Sequence, residues 1–585
     1  MFPARMHKWR ALRWAMPDYN PRRRIQCVAV AILAVSLLLL GRLFDLQIIR
    51  WEYYQGRAEA RVLGAVEPDF FRGSISFHEE GGISASAATM ANGYTLGINP
   101  STLGDPVATY EALNSIVALD PDDFLKKALK TNDPYERVKE RLTESEVRAI
   151  KKLGLSGIEI ATARWRTYPG GERAAHVLGF VGYQGDTLAG RYGLERYYND
   201  ILERNTEGMA QNFFVQVFSE LGGLLTSQKI KQEADLILTI ESRVQGELEK
   251  ELRSTRDTWN ASAAGGIVID PKTGEILAMA ATPSFDPGFY GKENDVSVFT
   301  NPLVENVYEM GSIMKPLTLA AAIDAGAITE HTTYDDKGYV IVGDKKIENF
   351  DKKGRGVVPM QEVLNNSLNT GAVFAMQELG REKFREYMFN YGLGERTRVD
   401  LPDEALGLVK NLESSRDIEY ATASFGQGIA VTPIAMVRAL GALANGGYLI
   451  RPHVVGIFDY RGFPRREVKI EEQRKVLAEA TTETITRMLV KTVDEALVSG
   501  AAKMLHYSIA AKTGTAQIPH PTGGYYDDRY LHSFFGYYPA YEPRFLVFLF
   551  LTEPKEVRYA SQTLTEPFMR LASFLLSYYE VPPDR

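Results

Sequence analysis

A serine and a lysine lie three residues apart at the start of an apolar run, in the segment Y-E-M-G-S-I-M-K-P at 308–316. The pattern predicts a helix that begins near Ser312 and ends near Gly326, because Pro316 is tolerated only in the first turn. On that helix Ser312 and Lys315 share a face, so the amine can reach the hydroxyl. A lysine desolvated in an apolar pocket can be neutral and can then take the serine proton. The pair is therefore predicted to be a nucleophile and its base.

Two further motifs follow in the chain. Ser367-Leu368-Asn369 is an S-x-N, and Lys512-Thr513-Gly514-Thr515 is a K-T-G followed by a second threonine. An isolated S-x-x-K is expected roughly once or twice by chance in a chain of this length. The ordered triplet is far more specific, and it predicts a serine acyltransferase.

Composition limits the other classes of function. A chain of 585 residues predicts two or three domains, and 45% hydrophobic with 24% charged residues is typical of a globular protein. The net charge of −7 gives no argument for nucleic-acid binding. The single cysteine, Cys27, excludes an internal disulfide and a cysteine-rich zinc site. We therefore expect no metal, no cofactor and no nucleic-acid partner.

The N-terminus predicts a membrane anchor. Residues 1–24 are basic, and residues 25–41 carry no charge before apolar character resumes up to residue 49. The pattern predicts one transmembrane helix at 25–49, with 1–24 in the cytoplasm and the remainder outside. The alternatives are a cleaved signal peptide, although no A-x-A-like site follows the apolar core, and a buried core helix.

The remainder predicts an α+β protein. Residues 50–255 alternate helical and extended patterns, with a helix at 51–62, one that begins at Thr143 and ends near Gly154, and a packed core histidine, His176. Residues 256–585 open with a hairpin around 265–280 and end with strands at 508–517, 534–538 and 545–551 and a helix at 567–579. Helical patterns at 363–376 and 437–443 lie between them. This order predicts one antiparallel sheet with helices packed on it.

The sequence resembles the class B penicillin-binding proteins, the membrane-anchored D,D-transpeptidases of bacterial cell-wall synthesis. The likeness covers most of the chain after residue 25 and includes, beyond the triplet, S-F-G-Q-G at 424–428, V-T-P at 431–433 and A-H-V-L-G-F-V-G at 175–182. Two segments depart from the family pattern: Met310 replaces the usual proline, and Phe77-His78 replace an acid and an arginine. The second change affects local salt bridging and leaves the predicted active site intact.

The resemblance implies a domain order and a role for each motif residue. Residues 50–255 would be a non-catalytic platform similar to the penicillin-binding protein dimerisation domain, and 256–585 the transpeptidase domain with the serine β-lactamase-like fold. Ser312 would be the nucleophile, Lys315 its base and Ser367 the proton relay. Asn369 would hold the substrate amide and Lys315, and Lys512 would supply the positive charge on one side of the cleft. Thr513 and Thr515 would bind the terminal carboxylate, and Gly514 would let the strand approach the substrate closely. The N–H groups of Ser312 and Thr515 would form the oxyanion hole.

The function that the resemblance implies is cross-linking of peptidoglycan stem peptides, lipid-linked or on nascent glycan, at the outer face of the bacterial inner membrane. We expect a septal enzyme, with an elongation enzyme as the alternative. Expected partners are β-lactam antibiotics, the membrane, a separate membrane glycan polymerase, and division or elongation proteins. Two other readings stay open: a serine β-lactamase, which would need neither anchor nor platform, and a β-lactam sensor or inactive division scaffold.

Overall fold

The computed structural model describes residues 70–79, 85–130, 132–185, 187–204, 233–460, 463–469 and 474–585, together with five positions between 30 and 36. The predicted tail at 1–24 and the helix at 51–62 lie outside these residues, as does nearly all of the predicted anchor at 25–49. In the part of the chain that is described, no helix has the length and apolar character needed to cross a bilayer.

The described strands, numbered β1 to β22 in chain order, have these bounds: Phe71–Arg72, Ile75–His78, Ser86–Ile98, Glu136–Leu142, Ile158–Thr167, Val181–Gln184, Thr187–Gly190, Glu203–Arg204, Ala234–Glu241, Ala263–Ile269, Ile276–Thr282, Thr333–Asp336, Tyr339–Val342, Lys345–Glu348, Gly356–Pro359, Tyr448–Leu449, Val455–Tyr460, Arg466–Glu467, Arg474–Lys475, Ala510–Pro519, Tyr525–Tyr538 and Phe545–Thr552.

The described α-helices, numbered α1 to α16, have these bounds: Pro106–Asn114, Pro121–Ala128, Glu144–Lys152, Ala175–Leu178, Gly193–Tyr197, Asn199–Leu202, Ser242–Thr258, Lys315–Asp324, Met360–Asn365, Asn369–Leu379, Arg381–Asn390, Asp417–Ala423, Pro433–Ala444, Glu479–Lys491, Ala560–Thr563 and Thr565–Tyr578. Single turns of 3₁₀-helix cover Pro287–Lys292, Val296–Phe299, Gly311–Met314, Lys410–Glu413 and Leu497–Gly500, and a π-helical turn covers Thr492–Ala496.

The chain forms two compact units. Of the described residues, those before residue 70 and those at 93–163 belong to the first, and those at 70–92 and 164–585 belong to the second. In the first, β4 pairs antiparallel with residues 94–98 of β3. Helix α3 begins after Thr143, as predicted, and the structure shows a capping box in which Thr143 and Glu146 satisfy each other's backbone N–H groups.

The second unit begins with a mixed sheet. Its strands follow the order β18-β17-β9-β2-β3, and β2 runs parallel to β9 while the other neighbours are antiparallel. Behind this sheet His176 is buried, and its Nε2 lies 3.0 Å from the Val298 carbonyl oxygen. Burial lowers the pKa of His176 to about 4, so the imidazole is neutral. The prediction of a packed core histidine is confirmed.

A five-stranded antiparallel sheet organises the rest of the second unit, in the order β11-β10-β22-β21-β20. The predicted hairpin is present as β10 and β11, joined through a turn in which Gly274 has φ +81°. The three C-terminal strands were also predicted, although β21 begins nine residues before the predicted 534, at Tyr525. Strand β20, which carries the K-T-G motif, lies at one edge of this sheet.

Strands β10, β11 and β22 of this sheet are buried on both faces, and they are apolar almost throughout. Along β22, Val547 and Leu549 pack with Phe568 of α16, whereas Phe548 and Phe550 belong to the core on the opposite face, which also contains Leu317 of α8. Successive side chains of a strand point to opposite faces, so one strand supplies both cores. Helix α8 is thereby fixed against the sheet.

The predicted helix at 363–376 is wrong in one respect, because the chain is interrupted there. Helix α9 ends at Asn365, helix α10 begins at Asn369, and between them Ser367 has φ +52°. A non-glycine residue in the left-handed region is uncommon and costs on the order of 1 kcal/mol or more. The apolar periodicity of the sequence continues through the break between α9 and α10, so the periodicity could not reveal that break.

Candidate active site

The serine lies on a loop that is clamped from two sides. The amide of Gly311 donates to the Gly426 carbonyl at 3.0 Å, and the hydroxyl of Ser533 donates to the Met310 carbonyl at 2.8 Å. Gly311 has φ +63°, which explains the glycine before the nucleophile. A single turn of 3₁₀-helix then leads into α8, and Pro316 lies in its first turn, as predicted.

Gly514 faces this same loop. A Cβ at 514 would lie 2.3 Å from Ser533 Oγ and 2.7 Å from the Met310 carbonyl oxygen. The absence of a side chain therefore lets β20 approach the loop that carries Ser312. The predicted close approach of substrate at Gly514 stays a prediction.

Lys315 connects the first two motifs. Its Nζ lies 3.0 Å from Ser312 Oγ, 3.1 Å from Ser367 Oγ and 2.5 Å from the Ser367 carbonyl oxygen. The left-handed backbone of Ser367 turns both of its oxygens toward the amine. The interruption between α9 and α10 therefore supplies two of the contacts of Lys315.

Lys512 connects the third motif to the second. Its Nζ donates to Ser367 Oγ at 3.2 Å and to the Thr513 carbonyl at 3.1 Å. Ser367 Oγ thus lies within hydrogen-bonding distance of both amines, although the three residues are far apart in the chain. A hydroxyl can donate one hydrogen and accept others, so it can pass a proton between them.

Burial determines the charge of the two lysines. Lys315 is 0% exposed, and burial, with a smaller contribution from the nearby Lys512 charge, holds the pKa of its amine well below the usual value. Burial also lowers the pKa of Lys512, to about 8. Both causes therefore favour the neutral form of the Lys315 amine, whereas Lys512, with a pKa of about 8, is mostly charged at neutral pH.

Six of the eight predicted site residues line one cavity of about 670 Å³, whereas Lys315 and Gly514 lie outside its lining. The six are Ser312, Ser367, Asn369, Lys512, Thr513 and Thr515. Asn369 Nδ2 donates to the Glu348 carbonyl at 2.9 Å, and Lys315 donates to Ser312 and Ser367 rather than to Asn369. Thr515 Oγ1 accepts from the Ala560 N–H at 3.1 Å, which leaves its hydroxyl hydrogen available as a donor. Among the residues described, no group of His, Cys, Asp and Glu side chains could hold a metal ion.

Comparison with known proteins identifies this arrangement. Residues 264–572, more than half of the chain, match the family model described as the penicillin binding protein transpeptidase domain. Residues 85–217 match the penicillin-binding protein dimerisation domain. The chain belongs to the class B penicillin-binding proteins. The fold prediction is confirmed for the transpeptidase part of the chain.

Relatives match this penicillin-binding protein along most of its length. The stage V sporulation protein D of Bacillus subtilis is 29% identical over 575 residues, covering 94% of this chain and 84% of the relative. The Caulobacter vibrioides protein named "Probable peptidoglycan D,D-transpeptidase FtsI" is 30% identical over 469 residues, covering 79% of this chain and 73% of the relative. Penicillin binding protein 3 from Mycobacterium tuberculosis, solved in complex with ampicillin, has a TM-score of 0.63 at 26% identity, covering 72% of this chain and 91% of that chain.

Two features of the site were missed by the sequence analysis. The first is a contact beside the serine loop, where the Tyr525 hydroxyl donates to Glu309 at 3.0 Å. The second is the wall of the cavity that includes Lys346, Glu348 and Phe350. Glu309 stands next to the first motif and could have been noticed there. Nothing in the sequence pattern joins Tyr525 or the wall to the site, because both meet it only through tertiary packing.

Proposed function

We propose that this class B penicillin-binding protein is a peptidoglycan D,D-transpeptidase that acts through an acyl-enzyme on Ser312. One observation carries the proposal: a fully buried lysine with a strongly lowered pKa lies 3.0 Å from the serine hydroxyl. The substrate class is a stem peptide that ends in D-alanyl-D-alanine, carried by lipid-linked or nascent glycan. The same motif residues suit no metal-dependent step.

Acylation begins with the neutral amine of Lys315, which takes the proton of Ser312 as the oxygen attacks the carbonyl carbon of the penultimate D-alanine. The backbone N–H groups of Ser312 and Thr515 stabilise the oxyanion that forms. Asn369 holds the substrate amide, and Thr513 and Thr515 hold the terminal carboxylate next to the charged Lys512. These groups place the scissile bond against the nucleophile.

Collapse of the intermediate breaks the C–N bond and releases D-alanine, whose nitrogen receives a proton through Ser367. The short distances from Ser367 Oγ to Nζ of Lys315 and of Lys512 support this relay. The amine of a second stem peptide then attacks the ester, forms the cross-link and returns the proton to Ser312. A β-lactam acylates Ser312 by opening of its ring C–N bond, but the ring nitrogen stays attached to the acyl group and does not leave. The site therefore stays occupied, and the cycle is blocked.

We further propose a septal role, which the similarity to the FtsI-named relative supports. The proposal includes the anchor at 25–49 with 1–24 in the cytoplasm, the platform at 50–255 and the catalytic domain at 256–585 outside the membrane. A separate membrane glycan polymerase would supply the strands. Location of the labelled full-length chain at the division site would support the septal role, and a distribution along the side wall would favour elongation.

The test of the chemistry is covalent labelling with a fluorescent penicillin. Wild type is expected to become labelled and Ser312→Ala to remain unlabelled. Ser561→Ala is the matched control, because Ser561 lines the same cavity outside the three motifs. A long-lived label supports a transpeptidase, whereas rapid loss by hydrolysis would indicate a β-lactamase. Absence of label on the folded wild type would overturn the proposal and favour an inactive scaffold.

A further inference from the structure

A buried polar cluster lies directly behind the S-x-N motif. It consists of Asp336 at the end of β12, Asn349 just after β14, and Thr370 in the first turn of α10. All three are at most 4% exposed. They come from three separate segments of the chain, and none belongs to the motifs that carry the proposed chemistry.

Asn349 is the centre of this cluster. Its Nδ2 donates to the two carboxylate oxygens of Asp336 at 2.9 and 3.1 Å, and its Oδ1 accepts from the backbone N–H of Thr370 at 3.2 Å. The amide orientation is therefore determined by its partners, because only the nitrogen can donate to a carboxylate and only the oxygen can accept from an N–H.

Thr370 closes the cluster. Its hydroxyl lies 2.8 Å from Asp336 Oδ1, to which it donates, and 3.1 Å from the Tyr334 hydroxyl, from which it can accept. Asp336 also accepts from the Gly338 N–H at 3.0 Å, which holds the turn between β12 and β13. Buried polar groups that are satisfied in this way hold one geometry, because every alternative leaves a group unpaired.

The cluster reaches the cavity through one peptide unit. Asn369, the motif asparagine, precedes Thr370 and donates from Nδ2 to the carbonyl of Glu348, the residue before Asn349. Asn349 thus fixes both ends of this contact: its side chain holds the backbone after Asn369, and its own peptide unit carries the carbonyl that Asn369 binds.

We propose that Asn349, held by Asp336, is a positioning residue that orients the Asn369 side chain for the substrate amide. That Asn369 holds this amide is part of the function proposed above, and the positioning role depends on it. Asn349 itself is buried and touches no substrate. Its effect should therefore be confined to ligands that present an amide to Asn369, while the attack of Ser312 on a carbonyl proceeds as before.

Two ligands separate these effects. Benzylpenicillin has a side-chain amide, and the aminopenicillanic acid nucleus has a free amine in its place. The measured quantity is the ratio of their acylation rate constants. We expect Asn369→Ala and Asn349→Ala each to lower this ratio by about five- to tenfold, the effect of one lost hydrogen bond. For Asn349→Ala, the acylation rate with the bare nucleus should change by less than about twofold.

A double variant tests whether Asn349 acts through Asn369. If it does, Asn349→Ala/Asn369→Ala will have the ratio of Asn369→Ala alone, whereas independent effects would multiply. Asn301→Ala is the matched control, since Asn301 is a 3% exposed asparagine that contacts Met279 and Leu303 instead. It should leave the ratio unchanged.

A variant in which Asp336 and Asn349 are exchanged keeps the proposal testable even if Asn349→Ala does not fold. Asn349→Asp alone places two carboxylates about 3 Å apart and should lower the ratio, because like charges at that distance repel. Asp336→Asn/Asn349→Asp restores one donor and one acceptor at the contact and should recover it.

Three results would overturn the inference: equal losses with both ligands, multiplied effects in the double variant, or a folded exchange variant that does not recover. Failure of wild type to react with either ligand would instead overturn the proposed function.

Discussion

Two clusters of buried ionisable groups lie in the second compact unit, and they differ in how charge is compensated. In the first, the carboxylate of Glu195 lies between the guanidinium groups of Arg72 and Arg166, all with side chains at most 3% exposed. In the second, Lys315 and Lys512 share the hydroxyl of Ser367, and neither forms an ion pair with a carboxylate that the structure describes.

The compensated cluster keeps its charge. Burial alone would raise the pKa of Glu195, but Arg166 and Arg72 more than offset it and hold that pKa below the usual value. Hydrogen bonds from the Tyr168 hydroxyl and from Arg166 Nε also end on this carboxylate. A buried ion with full pairing is stable, and it offers no proton acceptor near neutral pH.

In the uncompensated cluster, burial favours the neutral form of each amine, and most strongly that of Lys315. Burial lowers the pKa of Lys315, and the Lys512 charge lowers it further, so both causes act in one direction. A neutral amine next to a serine hydroxyl is a base that is ready to act. Comparison of the two clusters shows that equally buried ionisable groups can form a structural ion pair or a reactive amine. Which of the two results depends on whether an opposite charge is buried with the group.

The largest effect is expected at Lys315. Lys315→Met removes the base while it keeps an unbranched side chain of similar length, so acylation by a penicillin should fall by about 10³-fold or more. Stability should stay within about 1 kcal/mol of wild type, because an uncompensated buried amine is replaced by an apolar group. Labelling kinetics and urea unfolding measure the two quantities. Acylation of the folded variant at a rate near that of wild type would contradict the assigned base.

The opposite pattern is expected at Glu195. Glu195→Gln removes the anion between two buried guanidinium groups and should cost about 3–5 kcal/mol of unfolding free energy. The acylation rate per folded molecule should change by less than about twofold, since the cluster lies outside the cavity. Urea unfolding and active-fraction labelling measure both.

A matched control for Glu195 is the ion pair of Glu172 with Arg253, whose side chains are 52% and 56% exposed. Glu172→Gln should change stability by less than about 1 kcal/mol, because solvent screens an exposed pair. Equal losses at Glu172 and Glu195 would mean that burial does not separate the two pairs.

The third expectation concerns pH. Acylation needs Lys315 neutral and Lys512 charged, so the rate should fall above about pH 8 as Lys512 loses its proton, and fall in acid as Lys315 gains one. In Lys512→Arg the guanidinium stays charged, and the alkaline fall should move up by more than about one pH unit. An alkaline fall at the wild-type pH in Lys512→Arg would assign it to another group.

Stability should respond to pH with a defined sign. The unfolded chain keeps a lysine protonated up to about pH 10.4, whereas folded Lys512 releases its proton near pH 8. The unfolded state therefore binds more protons between these values, and the contribution of Lys512 to the unfolding free energy rises with pH in that window. Lys512→Arg should remove this rise, which urea titrations across the window can measure.

The sequence predicted the parts of this site that are local. The serine helix, its glycine C-terminus and the strand that carries K-T-G follow from turn chemistry and periodicity. That the three motifs form one site could be predicted only from their known order in the family. The sequence itself does not show it, because Lys512 and Ser367 are 145 residues apart in the chain. Spacing alone contains no information about that register.

Other features depend on backbone conformation that residue type does not reveal. Ser367 is not a glycine, yet its backbone is in the left-handed region, and this conformation turns its carbonyl toward Lys315. The wall that includes Glu348 was likewise absent from the predictions, because β12 to β15 form short two-stranded pairs with little periodic signal. The aspartate and asparagine behind Asn369 are recognisable only from their contacts.

The smallest effect is expected at Glu309, which is half-buried. It is hydrogen-bonded to the Tyr525 hydroxyl and to the backbone of Gly428, and it forms no ion pair with a cation among the described residues. Burial raises its pKa to about 7, and the hydrogen bond from Tyr525 partly opposes this. The folded state thus keeps a proton that the unfolded chain releases near pH 4.3, so stability should fall as pH rises from about 4.3 to about 7.

Glu309→Gln should flatten this fall, and Tyr525→Phe should extend it above pH 7, because the lost hydrogen bond favoured the ionised form. Urea unfolding from about pH 5 to about pH 8 measures both, and an unchanged slope in Glu309→Gln would show that the acid is solvated like those on the surface.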